Sequence, residues 1–361
     1  MSLHQHPSAA ALALAAALAG AAIAAAGPDR HPALRAVEVL NDGAPYPQCH
    51  ASTIAETAPG RLVAAWFGGT EEKAPDVGIW VTRFESGAWT VPVEVATGVQ
   101  PGGLRHPTWN PVLFAPPGRP LLLFYKVGPS PREWWGMVMA SRDGGRTWGP
   151  ARRLPAPLLG PIKNKPVMLP DGSWLSPSST ESAATGWDVH FERSRDHGRT
   201  WSFVGPLARG PFGLQGIQPS VLFHRDGRLQ AIARTRNGVL ASSWSRDNGA
   251  TWSALEPTAL PNPNSGTDAV TLRDGRQLLV YNPSTPPPGA SSGGPRYPLV
   301  AAVSDNGVSW TNAVVLEDQP MPDGYAYPAV IQSADNLVHV TYTWNRRRIK
   351  HAILDPSALE Q

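Results

Sequence analysis

The sequence has 361 residues, of which only 16% are charged, with 35 glycines, 39 prolines and a net charge of +3. This composition disfavours a helical bundle and favours many short strands joined by turns. The charge is small and dispersed and no nucleic-acid motif is present, which excludes nucleic acid as an expected partner. The single cysteine, Cys49, excludes an internal disulfide framework.

The N-terminal residues have the composition of an export signal. Residues 9–26 are almost entirely Ala, Leu, Ile and Gly, and they end in three alanines before Gly27-Pro28, which resembles a secretory signal with a small-residue cleavage site. No other apolar run is long enough to span a membrane. The sequence therefore predicts a signal peptide at residues 1–26 and one secreted or periplasmic domain at residues 27–361, without membrane insertion.

From residue 36 onward, a lone strand is followed by a sixfold repeat. Residues 36–40 have a strand pattern with no partner close by in sequence. After them, a polar residue followed by Pro or Ala and then an apolar run recurs every 50 to 60 residues. A self-similar period of this size indicates a repeat architecture. The six segments begin at His50, Asn110, Lys165, Gln218, Asp268 and Tyr327.

A second sequence motif repeats with a similar period. It reads Ser141-Arg-Asp143-Gly-Gly145-Arg-Thr147-Trp148 and recurs at residues 194–201 and 245–252, with degraded copies at Asp305–Trp310 and Ser86–Trp89. Asp and Ser side chains bond nearby backbone N–H groups, and glycine supplies a positive φ. The motif therefore predicts a structural turn with a tryptophan packed beneath it.

Six units of about four strands each predict an all-β fold, a six-bladed β-propeller. The strand at 36–40 supplies the missing outer strand of the last blade and closes the ring, so that no open edge remains. We expect one domain and a monomer. The first strands of the blades line the central channel and start at one mouth, while the Asp-containing turns lie on the opposite face. The functional site is expected at the mouth.

These turns, the six units and the mouth residues resemble the sialidase (neuraminidase) superfamily, in its bacterial BNR or Asp-box branch, over residues 36–355. The resemblance implies three arginines that bind a sugar carboxylate, a tyrosine nucleophile, a glutamate as its base and an aspartate of blade one as the acid. A tyrosine nucleophile is a known exception among glycosidases. Tyr327 stands at the nucleophile position, and Arg234 and Arg296 stand at the second and third arginines.

Other positions depart from the family pattern. Cys49-His50-Ala51-Ser52 occupies the place of the first arginine, for which Arg105, Arg348 or Lys165 would substitute. Gln218 stands in place of the base, and because a glutamine cannot accept a proton from Tyr327, Asp268 of the neighbouring blade becomes a candidate base. The loop at residues 70–76 offers Glu72 and Asp76 as the acid.

The sequence thus predicts an exo-acting glycoside hydrolase that releases a terminal acidic sugar, sialic acid or a related 2-keto-3-deoxy acid, from glycans. Two alternatives stay open: a uronic-acid polysaccharide lyase in which Tyr327 and His50 act as acid and base, and a non-catalytic glycan-binding propeller. No metal or other cofactor is expected, because the histidines do not cluster at ligand spacings. The predicted catalytic residues are Tyr327, Glu72, Asp76 and Gln218, and the predicted substrate-binding residues are Arg234, Arg296, His50, Arg348, Lys165, Asp268 and Asn110.

Overall fold

The computed structural model describes residues 24–25, 31–290 and 293–359. Within these ranges the fold is all-β, and the only helical segment is a 3-10 turn at Pro356–Ala358. None of the described residues forms a helix that is long and apolar enough to cross a membrane. Most of the predicted signal peptide lies outside the described residues. Its boundary with the rest of the chain stays a prediction.

The strands form six antiparallel sheets of four or five strands, which are the blades of the predicted propeller. Blade 1 contains Gln48–Ala58, Arg61–Gly69, Gly78–Glu85, Ala88–Trp89 and Val93–Ala96; blade 2 contains Thr108–Phe114, Leu121–Val127, Trp135–Ser141 and Arg152–Arg153. Blade 3 contains Val167–Met168, Trp174–Ser182, Gly186–Ser194 and Ser202–Val204; blade 4 contains Gly216–Phe223, Leu229–Thr235, Val239–Ser245 and Glu256–Pro261. Blade 5 contains Asp268–Thr271, Gln277–Tyr281, Leu299–Ser304 and Thr311–Glu317; blade 6 contains Tyr325–Gln332, Val338–Trp344, Arg348–Leu354, Leu34–Val39 and Ala24–Ala25.

The apolar runs lie where blades pack on each other. Every residue of Thr108–Phe114 and of Leu229–Thr235 is buried, because the first and second strands of a blade have a neighbouring blade on each face. One apolar cluster joins Leu113 and Leu123 of blade 2 to Ala65 and Ile79 of blade 1. This packing between blades keeps the inner strands in place around the channel.

The N-terminal strand closes the ring, as predicted. Leu34–Val39 pairs antiparallel with Arg348–Leu354 and places Glu38 opposite His351. Glu38 Oε1 lies 2.8 Å from His351 Nδ1, and His351 Nε2 lies 2.8 Å from His339 Nδ1. His339 Nε2 in turn lies 2.9 Å from Ser333 Oγ. We call this chain of side chains, Glu38–His351–His339–Ser333, the histidine clasp.

The Asp-containing turns join the third and fourth strands of their blades. In the first of them, Asp143 accepts hydrogen bonds from the Thr147 backbone N–H at 2.9 Å and the Thr147 hydroxyl at 2.6 Å. The degraded copy in blade 5 departs from the predicted alignment. There Asn306, and not Asp305, accepts the backbone hydrogen bonds, from Val308 and Ser309, because this turn is one residue shorter.

Four inner strands contain a β-bulge at the same place, where one residue has a left-handed backbone. These residues are Ala51 (φ 57°), Asn110 (φ 37°), Gln218 (φ 57°) and Tyr327 (φ 52°). The equivalent of Tyr327 in blade 1 is therefore Ala51, so the predicted alignment on His50 is shifted by one residue. Lys165 also precedes the first strand of blade 3, which begins at Val167. Bulges re-aim side chains and are common beside active sites.

Candidate functional site

The hydroxyl of Tyr327 is the centre of the polar cluster at the mouth. It accepts hydrogen bonds from Arg234 Nη1 at 2.7 Å and from Gln218 Nε2 at 3.3 Å. Gln218 Oε1 accepts from the same Arg234 nitrogen at 3.2 Å, and Asn264 Oδ1 accepts from Arg234 Nε at 3.1 Å. Because both groups that touch the phenol oxygen are donors, they stabilise negative charge on that oxygen.

His50 packs against the ring of Tyr327, with the ring centroids 4.3 Å apart. Its Nδ1 lies 3.0 Å from the Thr343 hydroxyl, which also accepts from the Ala51 backbone N–H. Burial holds the pKa of His50 well below its ordinary value, and the charges of Arg346, Arg296 and other nearby cations lower it further. The imidazole is therefore neutral, and it contacts the tyrosine without a hydrogen bond between their polar atoms.

The mouth is strongly positive around these two rings. Lys163 Nζ, the Arg234 guanidinium and the Arg296 guanidinium lie 5.7, 5.6 and 6.0 Å from the centroid of the Tyr327 ring. Arg346 forms an ion pair with Glu72, and both line a recess beside His50 that is too narrow to hold a water molecule. A concave site with several cations and one paired carboxylate is suited to binding an anion.

Lys165 and Asp268 form a separate ion pair at 2.9 Å. Asp268 is buried, and it also accepts from the Ser220 hydroxyl and the Val330 backbone N–H, both at 2.9 Å. Among the described residues no hydrogen bond joins Asp268 to Tyr327. Asp268 thus ties blade 5 to blades 4 and 6 and does not touch the phenol whose proton it was expected to accept.

Asp76, Arg348 and Asn110 likewise have no hydrogen bond to the side chains of Tyr327, Arg234 or Gln218 within the described ranges. Asp76 lies in the blade 1 loop, where its carboxylate accepts from the Thr70 backbone N–H at 2.9 Å and the Thr70 hydroxyl at 2.7 Å. Arg348 donates to the carbonyl of its neighbour Arg347. Asn110 is buried at the bulge of blade 2.

Two residues that complete the site, Lys163 and Thr343, were not selected from the sequence. Lys163 lies before the first strand of blade 3, outside the repeat positions, and Thr343 lies on a second strand. Glu181 pairs across its hairpin with Trp187, and Trp187 lies between Arg234 and Arg236, whose guanidinium carbons are 5.1 and 4.2 Å from its ring centroid. Burial raises the pKa of Glu181, so this carboxyl keeps its proton to a higher pH than an exposed one.

No group of three or more His, Cys, Asp and Glu side chains in the described parts of the chain is arranged to hold a metal ion. Around Tyr327 the polar groups are mainly nitrogen donors, which repel a cation. The arrangement is instead able to bind a carboxylate and to place a phenol oxygen beside it.

Comparisons with known proteins agree with this architecture. The solved structures of a Hadza microbial sialidase (TM-score 0.74, 16% identity, 90% of this chain and 70% of that chain) and of a protein of unknown function from Dyadobacter fermentans (TM-score 0.71, 19% identity, 90% and 99%) are similar. So is a leech intramolecular trans-sialidase complexed with 2,7-anhydro-Neu5Ac (TM-score 0.70, 13% identity, 89% and 70%). At these identities the likeness shows the fold.

Two sequence comparisons concern the family. The anhydrosialidase of Macrobdella decora is 24% identical over 193 residues, which are 49% of this chain and only 24% of that protein. The chain thus matches about a quarter of the length of this curated relative. The model of the BNR repeat-like domain matches residues 60–340. The chain therefore belongs to the BNR repeat-like domain family, within the sialidase superfamily.

Proposed function

We propose that the protein is an exo-acting glycoside hydrolase of the sialidase type, which releases a terminal acidic sugar from glycans. The observation that carries the proposal is the 2.7 Å contact between Arg234 and the Tyr327 hydroxyl inside a cluster of cations. This places a group that binds carboxylates beside a group that can attack carbon. The proposed substrate is a sialic acid or a related 2-keto-3-deoxy acid, in which a carboxylate is attached to the anomeric carbon.

In this proposal the carboxylate binds to Arg234 and Arg296. A guanidinium presents paired N–H donors in the geometry of a carboxylate, and Arg234 is already oriented by Asn264 and Gln218. Arg346 lines the same recess as His50, at the place of the absent first arginine, and we assign it a contribution to carboxylate binding. Its partner Glu72 reduces its charge, so we assign it the weaker contribution.

Tyr327 then attacks the anomeric carbon and forms a covalent glycosyl-enzyme bond while the bond to the leaving oxygen breaks. Arg234 and Gln218 stabilise the phenolate by donating to it, and the phenol proton passes to solvent before the attack. The ion pair between Glu72 and Arg346 opens when the substrate carboxylate binds to Arg346, and Glu72 in its protonated form then donates a proton to the leaving oxygen and afterwards accepts one from the water that cleaves the intermediate. Asp76 is the second candidate for this role, but Thr70 already binds its carboxylate.

A second candidate function is elimination from a uronic-acid polysaccharide. The specific observation in its favour is the neutral His50 ring 4.3 Å from Tyr327, because a neutral imidazole can accept the C5 proton of a uronate while the phenol protonates the leaving oxygen. The cations would then neutralise the uronate carboxylate. A glycan-binding propeller without turnover is the third possibility, since fold alone does not establish activity.

One experiment separates the three functions. Aryl ketosides of sialic acid, deaminated sialic acid and deoxy-octulosonic acid are incubated with the wild-type protein and with Tyr327→Phe, in parallel with a uronate polysaccharide. Release of the aryl group that Tyr327→Phe abolishes supports the hydrolase. Ultraviolet absorbance from a new conjugated double bond supports the lyase. Calorimetric binding of an acidic sugar without any product supports the binding module and overturns the hydrolase.

We also propose that the protein acts outside the cytoplasm, on the basis of the apolar stretch at residues 9–26. N-terminal sequencing of the protein from its native cells tests this. A mature N-terminus at Gly27 is expected, and a retained Met1 would contradict export through cleavage.

A further inference from the structure

Lys163 is a buried cation that crosses the floor of the mouth. Its side chain is 3% exposed, and its ammonium group donates to three acceptors from different parts of the ring. These are the Pro328 carbonyl at 2.6 Å, the Thr267 carbonyl at 2.9 Å and Asn164 Oδ1 at 2.8 Å. An ammonium group has three hydrogens, so every donor of Lys163 is used.

The neighbouring residue, Asn164, extends this network to blade 4. Asn164 Nδ2 donates to the Gln218 carbonyl at 2.9 Å and to the Ser220 hydroxyl at 2.8 Å. Lys163 and Asn164 therefore form one continuous hydrogen-bonded path from Pro328 to Gln218. We call these two residues the Lys-Asn bridge.

Both ends of the Lys-Asn bridge bind backbone at a β-bulge. Gln218 has φ 57° and Tyr327, which directly precedes Pro328, has φ 52°. A left-handed backbone is unfavourable for residues other than glycine and persists only where the surroundings enforce it. Fixing the carbonyls of Gln218 and of Pro328, the residue after Tyr327, restrains the direction in which the Gln218 and Tyr327 side chains leave the backbone.

A glycine makes room for this arrangement. A Cβ atom on Gly266 would lie 2.9 Å from Lys163 Cε and 3.1 Å from Tyr327 Cδ2. The absence of a side chain at position 266 therefore allows the lysine stem and the tyrosine ring to approach each other.

We propose that Lys163 and Asn164 are positioning residues that hold Tyr327 and Gln218 in the geometry required for attack. The catalytic part of this proposal rests on the proposed function, because it assumes that Tyr327 reacts. The positioning part of the proposal does not depend on that function, and it is tested by a measurement that requires no turnover.

The chain offers a matched control. Lys126 is also fully buried, and its ammonium donates to a backbone carbonyl, that of Pro161, at 2.7 Å. Burial lowers the pKa of both lysines to about 7. None of the described contacts of Lys126 involves Tyr327. Lys126→Met therefore reproduces the loss of a buried cation without loss of the bridge.

The first measurement is a carbon–proton NMR spectrum of protein with labelled tyrosine rings, of which the chain has seven. The signal that disappears in Tyr327→Phe is assigned to Tyr327. Lys163→Met and Asn164→Asp are expected to shift or split that signal. Lys126→Met is expected to leave it unchanged. Asn164→Asp keeps the oxygen that accepts from Lys163 but removes the hydrogen bonds that Asn164 donates to Gln218 and Ser220. This variant tests the bridge if Lys163→Met does not fold. An unchanged Tyr327 signal in a folded bridge variant overturns the positioning role.

The second measurement is kinetic and uses the best substrate of the wild-type protein. Lys163→Met is expected to lower kcat about a hundredfold and to change KM less than about threefold, while Lys126→Met leaves both within about threefold. KM is expected to change little because the arginines that bind the carboxylate are intact in both variants. Equal losses of kcat in the two lysine variants overturn a specific catalytic effect of Lys163. Absence of turnover in the wild-type protein overturns the proposed function, and the NMR result then stands alone.

Discussion

Arg234 Nη1 lies 2.7 Å from the Tyr327 hydroxyl and 3.2 Å from Gln218 Oε1, so one nitrogen connects blades 4 and 6 across the mouth. A lysine at this position keeps one charge but has a single nitrogen, which cannot replace the separate Nε that binds Asn264 and Nη1 that binds Gln218 and Tyr327. Arg234→Lys is therefore expected to lower kcat/KM for an acidic sugar about 10²- to 10³-fold. Steady-state kinetics on the best aryl ketoside measures this.

Arg193 provides the control for that substitution. It is equally buried, but it binds Asp171 and Ser173 in blade 3 and has no described contact with the Tyr327 cluster. Arg193→Lys is expected to lower thermal stability and leave kcat/KM within about threefold. A comparable loss of activity in both variants would mean that Arg234 acts only through stability.

Gln218 occupies the position from which a carboxylate would reach both Arg234 and Tyr327. Gln218→Glu supplies an acceptor for the phenol proton, and general-base catalysis typically contributes 10²- to 10⁴-fold. We expect kcat for hydrolysis to rise at least about tenfold. Gln218→Met, which cannot accept the proton efficiently, is the control. A fall in kcat for Gln218→Glu would show that the amide donation to Tyr327 is needed, and would favour the lyase.

His50 distinguishes the hydrolase from the lyase. Because its pKa lies well below the ordinary value, the imidazole is uncharged near neutral pH, and His50→Phe changes no charge there. The phenyl ring keeps the contact with Tyr327. Hydrolysis is expected to remain within about threefold of wild type, whereas an elimination that uses His50 as base would fall at least about a hundredfold. Rates on ketoside and uronate substrates at neutral pH give the answer.

The histidine clasp predicts a dependence of stability on pH. Burial and the neighbouring His351 lower the pKa of His339 from its ordinary value of 6.5 to about 4, against the opposing charges of Asp335 and Glu38. Between these values the unfolded chain binds a proton that the folded chain does not, so stability falls as the pH drops from 6.5 to 4. Glu38, whose pKa is lowered by His351 and Trp89 despite its burial, acts in the same direction.

For His339 alone, the free energy of unfolding is expected to fall by about 3 kcal/mol between pH 6.5 and pH 4. Urea unfolding across the window measures it, and His339→Gln is expected to flatten the profile by that amount. His197→Asn is the control, since His197 is an exposed turn residue with φ 61° that asparagine tolerates. An unchanged slope in His339→Gln would refute the assignment to the clasp.

The shifted alignment of the blade 5 turn gives a paired test. Asp247 accepts from the Thr251 N–H, the Thr251 hydroxyl and the Ser245 hydroxyl, whereas Asn306 performs this role beside Asp305. Asp247→Ala is expected to lower the free energy of unfolding by about 1 kcal/mol. Asp305→Ala is expected to change it by less than about 0.5 kcal/mol. Chemical denaturation of the two variants decides, and equal losses would contradict the alignment.

Most of what the sequence predicted correctly rested on the repeat. Apolar runs and turn motifs recur because every blade has the same packing, so the number of blades and the positions of Tyr327 and Gln218 on inner strands followed from the spacing. Ring closure followed from the missing outer strand of the last blade, which was predicted at residues 36–40 and lies at Leu34–Val39. The bulge limited this accuracy. No particular residue type marks the left-handed position of a bulge, as Ala51 shows. The sequence alignment of blade 1 was therefore placed one residue too early, on His50.

The residues that the sequence did not reveal lie outside the repeat. Lys163 reaches the mouth from the segment before a strand, and its three acceptors are two carbonyls and an amide oxygen, which leave no mark in the sequence. Asp268 was expected beside Tyr327 because both begin inner strands. Its carboxylate is instead satisfied by Lys165, Ser220 and the Val330 N–H, since a buried carboxylate requires several partners.

The seam at blade 6 joins residues that are 313 positions apart in the chain, Glu38 and His351. During synthesis the strand at residues 34–39 is made first, and its partner strand at 348–354 is made after the other five blades. Until that moment the early strand lacks its partner in blade 6, and the ring cannot close. A ribosome-bound chain that ends before residue 348 cannot close, so completion of the ring is a late event in biosynthesis. Proteolysis of nascent chains arrested before and after that residue would time it.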